Sequence, residues 1–193
     1  MSEGFAIDFD NNKMDYQRKN ISKKNILAKA IGLKSSPLRV LDLTAGLGID
    51  AVHMSMLGCK VVSLERNPTL FALLDQAWKN STRPEVKKIQ FLHADAKEFL
   101  TSQGSNLQKD FDVIYYDPMY PEKKKTALPR KEMKMFRELI GSDNDIDEVV
   151  ECAIGTQIRR IVVKRPKNAE TLKLRQKPIL FAGTTVQYQV FLK

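Results

Sequence analysis

The chain has 193 residues, of which 42% are hydrophobic and 28% are charged, a balance typical of one globular domain with a substantial core. Its two cysteines, Cys59 and Cys152, and its two histidines are too few for a disulfide framework or a histidine-rich metal centre. The apolar runs are too short to cross a bilayer, and the opening "MSEGFAIDFD" lacks the basic start of a secretion signal, so we expect a cytoplasmic protein.

The net charge of +9 favours a polyanionic partner, and nucleic acid is the commonest one. Surplus lysines can also serve solubility alone, so the distribution of charge matters more than its total. Residues 122–137 contain seven basic and two acidic side chains, and smaller basic clusters lie at 13–24 and 159–167.

The predicted elements follow one another in a regular alternation. The first twenty residues are polar and are predicted to be weakly structured, and residues 22–33 form an amphipathic pattern typical of a helix that ends near Gly32. Short apolar runs then predict strands at 38–46, 59–65, 88–95, 111–117 and 159–166. Helical patterns lie at 49–58, 67–80, 96–103, 130–141 and 145–158, and the second of these begins with the capping pair Asn67 and Pro68. Residues 178–185 and 186–193 predict an antiparallel pair of strands.

This alternation predicts an α/β fold of the Rossmann-like type, in which a mostly parallel sheet ends in a C-terminal antiparallel pair and carries helices on both faces. We expect a single domain over 1–193, with a lead-in and helix at 1–36 and the Rossmann-like core at 37–193. Ligands of such sheets bind beyond the carboxyl ends of the strands. The turns after residues 45, 65, 95 and 117 should therefore share one edge and contain the site.

The turn "DLTAGLGIDA" (42–51) matches the glycine pattern of dinucleotide-binding folds through Gly46, Gly48 and Ala51. Glycines allow a ligand to approach the backbone, and the helix that follows offers free N–H groups. Glu65 ends the second strand, where a carboxylate can accept hydrogen bonds from both hydroxyls of a ribose. Together they indicate an adenosine-containing cofactor, which at this point can be either NAD or S-adenosyl-L-methionine.

Further acids favour the second cofactor. Asp42 lies inside an apolar strand, where an unpaired carboxylate is costly unless it organises the glycine turn or faces a cation. S-adenosylmethionine carries a sulfonium and an ammonium group, whereas additional acids would repel the pyrophosphate of NAD. Asp50 begins the next helix and Asp95 ends the third strand, where it can accept from the adenine amino group; we assign Thr44 of the glycine turn to the same site.

The fourth strand leads into Asp117-Pro118-Met119-Tyr120 at the same predicted edge. The lone pair of a nucleobase amine is delocalised into the ring, so methylation needs an acceptor that holds the nitrogen towards tetrahedral geometry. We predict that Asp117 accepts one N–H, that Pro118 fixes a main-chain carbonyl for the other, and that Tyr120 stacks on the base. The alternative is an ordinary Asp-Pro turn followed by a core tyrosine.

Basic residues surround this motif and are predicted to contact RNA phosphates, although a solvated surface would have the same composition. The predicted RNA-binding residues are Lys123, Lys124, Lys125, Arg130, Lys131, Lys134, Lys164 and Arg165.

Four stretches, "LDLTAGLGIDA", "GCKVVSLERNP", "DPMYPEKKKTALPRKEMKMFRELIG" and "RRIVVKRP", resemble the bacterial ribosomal RNA small subunit methyltransferase J family. The resemblance extends from about residue 5 to the end of the chain. It implies a class I methyltransferase fold and S-adenosylmethionine-dependent methylation of a guanosine N2 amine in 16S rRNA, alone or within the small ribosomal subunit, without a metal. It also implies a cofactor-binding set made of Asp50, Glu65, Arg66, Asp95, Ala96 and Asp117, although Ile49 replaces the arginine that the family usually carries.

Three other functions remain compatible with the sequence. A nicotinamide-dependent oxidoreductase would share the glycine turn and Glu65, although 193 residues leave little room for a substrate domain. A non-catalytic RNA-binding module could keep the fold without the activity, and an amino-methyltransferase could act on another RNA or DNA base.

Overall fold

The computed structural model describes residues 6–11, 25–34, 36–119, 145–172, 174 and 176–193. Within these residues, seven strands form one sheet in the order β3-β2-β1-β4-β5-β7-β6. The strands are β1 Arg39–Asp42, β2 Lys60–Glu65, β3 Gln90–His93, β4 Val113–Tyr116, β5 Arg160–Pro166, β6 Ile179–Ala182 and β7 Val186–Leu192.

Strands β1 to β5 run parallel, and β7 inserts antiparallel between β5 and β6. In the central register Leu41 of β1 lies between Val62 of β2 and Ile114 of β4. A strand flanked on both sides and covered on both faces must be apolar along its length, which explains the apolar runs in the sequence. The predicted mostly parallel sheet with a C-terminal antiparallel pair is confirmed.

The helices begin and end where the sequence provides caps. They are α1 Ile26–Ile31, α2 Ile49–Met56, α3 Pro68–Asn80, α4 Pro84–Lys87, α5 Ala96–Gln103, α6 Leu107–Asp110 and α7 Ile146–Gly155. The Asn67 side chain accepts a hydrogen bond from the backbone N–H of Leu70 at the start of α3, and Pro68 occupies the first turn, as predicted. Gly32 ends α1 in the left-handed conformation, with its N–H bonded to backbone carbonyls of the last turn.

Helices cover both faces of the sheet, as expected. Helices α1 to α4 pack on one face, around Val40, Val61 and Tyr115, while α5, α6 and α7 pack on the other, around Leu41, Ile114 and other core residues. The short helices α4 and α6 were not predicted, because segments of four residues are too short to show helical periodicity. The predicted helix at 130–141 lies outside the described residues.

Part of the N-terminal lead-in packs on the core, contrary to the prediction of a weakly structured segment. Phe9 is buried and stacks with Phe91 of β3, with ring centroids 6.3 Å apart. Asp10 accepts hydrogen bonds from the Ser81 hydroxyl (2.7 Å) and from the backbone N–H of Thr82 (2.9 Å). One buried aromatic ring and one hydrogen-bonded carboxylate hold this segment on the core, although its neighbours in the sequence are polar.

Over the described ranges, no helix has the length and apolar character needed to span a membrane. The same residues contain no cluster of three side chains suited to binding a metal ion.

Candidate cofactor and methyl-transfer site

The four turns predicted to share one edge meet around a cavity of about 340 Å³. Each strand end contributes to its wall: the glycine turn after β1, the Glu65–Arg66 corner after β2, Asp95 after β3 and Asp117 after β4. The residues that line it are Leu43, Thr44, Ala45, Gly46, Leu47, Ile49, Asp50, Leu64, Glu65, Arg66, Asp95, Ala96, Tyr116, Asp117, Pro118, Met119, Val149 and Lys164. Most of the predicted site residues that the structure describes are therefore brought together.

Glu65 fixes the glycine turn to the second strand. Its carboxylate accepts the backbone N–H of Gly46 at 3.0 Å through one oxygen and that of Asn67 at 2.9 Å through the other. The Ala45 N–H also donates to the Leu64 carbonyl at 2.7 Å. The side chain is buried yet lies on the cavity wall, so one carboxylate both shapes the turn and faces the ligand space.

Asp42 was predicted to contact the cofactor, but the structure places it behind the cavity wall. It is 1% exposed, and its carboxyl oxygens accept hydrogen bonds from the Ser63 hydroxyl (2.6 Å) and the Thr44 backbone N–H (3.1 Å). Burial raises the pKa of Asp42 to about 8, although both hydrogen bonds act in the opposite direction. Its role is therefore to organise the glycine turn, and not to face a cation in the cavity.

Gly48 is likewise missing from the cavity lining, which corrects its prediction as a cofactor contact. Its φ of +73° belongs to the left-handed region, and a Cβ there would lie 2.8 Å from the Phe9 ring and 3.1 Å from Leu74. Glycine is required at this position because the lead-in packs against the turn from behind.

Thr44 joins the first and fourth strands at the cavity. Its hydroxyl oxygen accepts the backbone N–H of Asp117 at 2.8 Å, so the Asp-Pro turn is fixed to the glycine turn. Pro118 is buried and, with Met119, lines the cavity next to Asp117.

Lys164 occupies a place that the sequence did not predict. We expected it to contact an RNA phosphate, but its ammonium lies between two carboxylates, 2.7 Å from Asp50 Oδ2 and 2.8 Å from Asp117 Oδ2. The Tyr115 hydroxyl donates to the same oxygen of Asp50 at 2.6 Å. The lysine side chain is only 21% exposed, because it extends from the end of β5 into the space between these partners.

The acids of this cluster have different pKa values. Burial acts to raise the pKa of Asp50, but Lys164 and the Tyr115 hydroxyl together hold it below its usual value. Burial raises the pKa of Asp117 to about 6, with the neighbouring Asp50 adding to the effect and Lys164 opposing it. Burial alone would lower the pKa of Lys164, but the two carboxylates raise it above its ordinary value, so the lysine stays charged.

Asp95 and Arg66 form the opposite end of the cavity. Asp95 caps α5, because its Oδ1 accepts the backbone N–H groups of Lys97 (2.9 Å) and Glu98 (3.1 Å). Its other oxygen lies 3.8 Å from the Arg66 guanidinium, which also donates to Asp145 at 3.0 Å. Ala96 completes this part of the wall.

Arg165 was predicted to contact RNA together with Lys164. Arg165 follows Lys164 in β5, and because side chains alternate along a strand it belongs to the opposite face of the sheet. Tyr120 and the basic residues Lys123, Lys124, Lys125, Arg130, Lys131 and Lys134 lie outside the described residues.

The cavity's chemistry fits S-adenosylmethionine. Four carboxylates and two cations line it, and both cations are already engaged with acids. An acidic, partly apolar cavity suits a ligand with a sulfonium, an ammonium and a ribose diol, whereas a pyrophosphate would meet mostly negative charge.

Comparisons with known proteins agree with this chemistry. The profile of a family described as "Putative SAM-dependent methyltransferase" matches residues 2–193. A crystal structure of a SAM-dependent methyltransferase from Neisseria gonorrhoeae superposes with a TM-score of 0.69 and 28% identity, covering 97% of this chain and 74% of the other.

Two curated relatives carry the name ribosomal RNA small subunit methyltransferase J. The protein from Bdellovibrio bacteriovorus is 42% identical over 186 residues, covering 96% of this chain and 73% of its own length. The protein from Thioalkalivibrio sulfidiphilus is 38% identical over 192 residues, with coverages of 96% and 74%.

The strand order, the acidic cavity and these matches define a class I methyltransferase that uses S-adenosylmethionine. Within that class, the chain belongs to the ribosomal RNA small subunit methyltransferase J family, as the resemblance in sequence implied.

Two polar residues of the site were missed or misplaced by sequence reasoning. Tyr115 was not singled out, and Lys164 was predicted to contact RNA phosphates. A signal for Lys164 exists, because it follows Val162 by two positions in β5 and so shares with it the sheet face that carries Tyr115.

Proposed function

We propose that the protein transfers a methyl group from S-adenosylmethionine to the exocyclic N2 amine of a guanosine in 16S rRNA. The observation that carries this proposal is the position of Asp117. Its carboxylate lines the same cavity as Glu65 and Gly46, directly before Pro118 and Met119. An acceptor at the carboxyl end of the fourth strand, beside a cofactor cavity, is the arrangement that a weakly nucleophilic base amine needs.

Residues on the walls of the cavity would hold the cofactor. Glu65 is suited to the ribose hydroxyls, Gly46 offers close approach to the turn, and Asp50 supplies negative charge next to the glycine turn. Asp95 and Ala96 lie where the adenine would be bound, and Arg66 lies beside them. When bound, the cofactor supplies an electrophilic methyl group on a sulfonium.

Asp117 has two tasks in this proposal. It accepts one N–H of the amine, which turns the nitrogen lone pair out of conjugation with the ring and towards the cavity. As that lone pair forms the new N–C bond, the bond between the methyl carbon and the cofactor sulfur would break with both electrons left on sulfur, and the nitrogen becomes cationic. An N–H proton passing to the carboxylate then restores a neutral amine. The Thr44 hydroxyl holds the Asp117 backbone, so the acceptor is fixed before the base arrives.

The Pro118 carbonyl is proposed to accept the second N–H of the amine, and Tyr120 to stack on the guanine ring. The lysines at 123–125 and the basic residues Arg130, Lys131 and Lys134 are proposed to bind the phosphates around the target nucleotide. The partner is 16S rRNA or the small ribosomal subunit, which places the reaction in the cytoplasm, and we propose that residues 1–193 act as one domain.

Mapping of the modified nucleotide tests the proposal. Unmodified 16S rRNA and small subunits lacking the modification are incubated with the protein and S-adenosylmethionine, digested, and analysed by mass spectrometry. We expect one methyl group on the N2 of one guanosine. Methylation of a different atom or base would replace the substrate assignment, and no incorporation into either substrate would contradict the proposed activity.

A further inference from the structure

Lys164 joins two acidic residues that come from different parts of the chain. Asp50 lies in the first turn of α2, 114 residues away, and Asp117 follows β4, 47 residues away. The lysine ammonium contacts one oxygen of each carboxylate. The cofactor side of the cavity and the acceptor side are thus connected through a single side chain.

This connection constrains how Asp117 is turned. Its backbone N–H is held by Thr44, and its Oδ2 is held by Lys164. With the backbone and one oxygen both fixed, the plane of the carboxylate is set. Among the described residues, Lys164 is the donor to this carboxylate, so Oδ1 is the oxygen suited to an incoming N–H.

The cluster also needs the charge of the lysine. Asp50 and Asp117 are neighbours, and each makes the other harder to ionise. The pKa of Asp117 is already raised to about 6, by burial first and by Asp50 next, with Lys164 as the opposing influence. Within the described part of the chain, the other titratable groups that face this cluster are Asp42 from β1, His53 from α2, Tyr115 from β4 and Tyr188 from β7. None of these four groups carries a permanent positive charge, as the lysine does.

We infer that Lys164 is a positioning residue for methyl transfer, which orients the Asp117 carboxylate towards the base and keeps it ionised while Asp50 lies beside it. This inference rests on the proposed function and assigns Lys164 a different role from the phosphate contact that its sequence position suggested.

Two variants separate these roles. Lys164→Gln removes the charge but can still donate one hydrogen bond. Lys164→Arg keeps the charge but cannot place one compact ammonium between the two oxygens, whereas it would serve a phosphate as well as lysine does. Thermal melting of each variant establishes that it is folded before the kinetics are compared.

Methylation of small subunits is measured for both variants as kcat, as KM for RNA, and as a pH profile. We expect kcat to fall by at least tenfold in both, with the KM for RNA close to that of the unmodified protein. In Lys164→Gln the acidic limb of the profile should move up by about one pH unit or more, because an opposite charge at this range lowers a carboxyl pKa by about 1–3 units. In Lys164→Arg the limb should stay in place.

A cofactor titration gives a second readout that does not need RNA. S-adenosylhomocysteine carries an ammonium, so protonation of the acids in the cavity should weaken its binding. In Lys164→Gln this weakening should begin at a higher pH than in the unmodified protein, as measured by calorimetry.

The outcomes are distinct. An unchanged kcat and acidic limb in Lys164→Gln would overturn the inference, as would a raised KM for RNA with kcat preserved, which is the result of a phosphate contact. If Lys164→Gln does not fold, a wild-type kcat in Lys164→Arg overturns it instead. If the unmodified protein transfers no methyl group, the proposed function fails and the positioning role fails with it, while the calorimetric pH dependence still shows whether Lys164 keeps the cavity acids ionised.

Discussion

The side chain on which the proposed chemistry depends is Asp117, and its surroundings explain how a single carboxylate can serve as the acceptor. It is fixed through its backbone by Thr44 and through one oxygen by Lys164, and its side chain is about one-third exposed (34%) towards the cavity. The acceptor is therefore oriented before substrate binds, which reduces the entropy lost in reaching the reactive geometry.

Replacing Asp117 by asparagine should remove methyl transfer while leaving the fold in place. The amide cannot take a proton from the methylated nitrogen, so we expect kcat to fall by about 10²–10⁴-fold. Tritiated-methyl incorporation into small subunits measures the loss, and Asp110→Asn, an exposed acid of α6 outside the cavity, is the matched control. Turnover within a few-fold of the control would remove Asp117 from the mechanism.

Asp42 makes a second prediction at this scale, about stability and pH. Its pKa is about 8 in the folded protein and 3.8 as the reference value, so the folded state holds one more proton between these limits. A raised carboxyl pKa stabilises the fold at low pH, and that contribution is lost as pH rises from about 4 through about 8.

Asp42→Asn keeps a neutral group at this site and should weaken that pH dependence. Denaturant unfolding from pH 5 to pH 9 measures it, with the free energy of unfolding expected to fall less steeply with pH than in the unmodified protein. Identical slopes would show that Asp42 is already ionised when folded.

At the scale of elements, the shape of the site depends on turns that are held by contacts on the side facing away from the cavity. The glycine turn is held by Glu65 on one side, and on the other it touches the ring of Phe9 from the lead-in. The lead-in therefore contributes to the shape of the cavity without lining it.

A pair of glycine substitutions tests this support. In Gly48→Ala the new Cβ meets Phe9 at 2.8 Å in a left-handed backbone, so we expect a loss of about 1–3 kcal/mol in stability and weaker cofactor binding. Gly155→Ala is the control, because nothing lies within 4 Å of the added Cβ at the end of α7, and alanine has a higher helix propensity than glycine. Equal melting temperatures for the two variants would contradict the argument.

The elements themselves could be predicted because they depend on local signals. The run "VIYY" is apolar enough to indicate a buried strand, and Asn67 with Pro68 marks the start of α3. The sequence also placed Glu65, Asp95 and Asp117 at strand ends, and the strand ends share one edge as the parallel topology requires.

What could not be predicted depends on contacts between distant residues. Lys164 looks like a surface cation until the partners 114 and 47 residues away are known, and Gly48 resembles a ligand-binding glycine until Phe9 packs against it. Asp42 likewise needed the hydroxyl of Ser63 to explain its burial. A pattern in one segment cannot show which side chain from another segment will fill the space beside it.

At the scale of the whole molecule, the net charge of +9 suits the proposed RNA substrate. Substituting Lys123, Lys124 and Lys125 by glutamine should weaken RNA binding and reduce the slope of log K against log salt by up to about 2–3, since each phosphate contact contributes about 0.7–0.9.

The matched control replaces Lys60, Lys88 and Lys109, three exposed lysines outside the cavity lining, and so removes the same net charge. Binding is measured at several salt concentrations for both triple variants. If both lose affinity equally, total charge rather than the lysine block governs RNA binding.

The hydrogen bond between Thr44 and Asp117 spans 73 residues of the chain, and β1 pairs directly with β4 across the same interval. A partly folded chain that lacks this pairing cannot assemble the cavity, so only the completed fold can bind the cofactor. Saturating S-adenosylhomocysteine should accordingly shift the whole unfolding transition, by RT ln(1 + [L]/Kd), without altering its cooperativity. Cofactor supply in the cell would then favour survival of completely folded copies over partly folded ones.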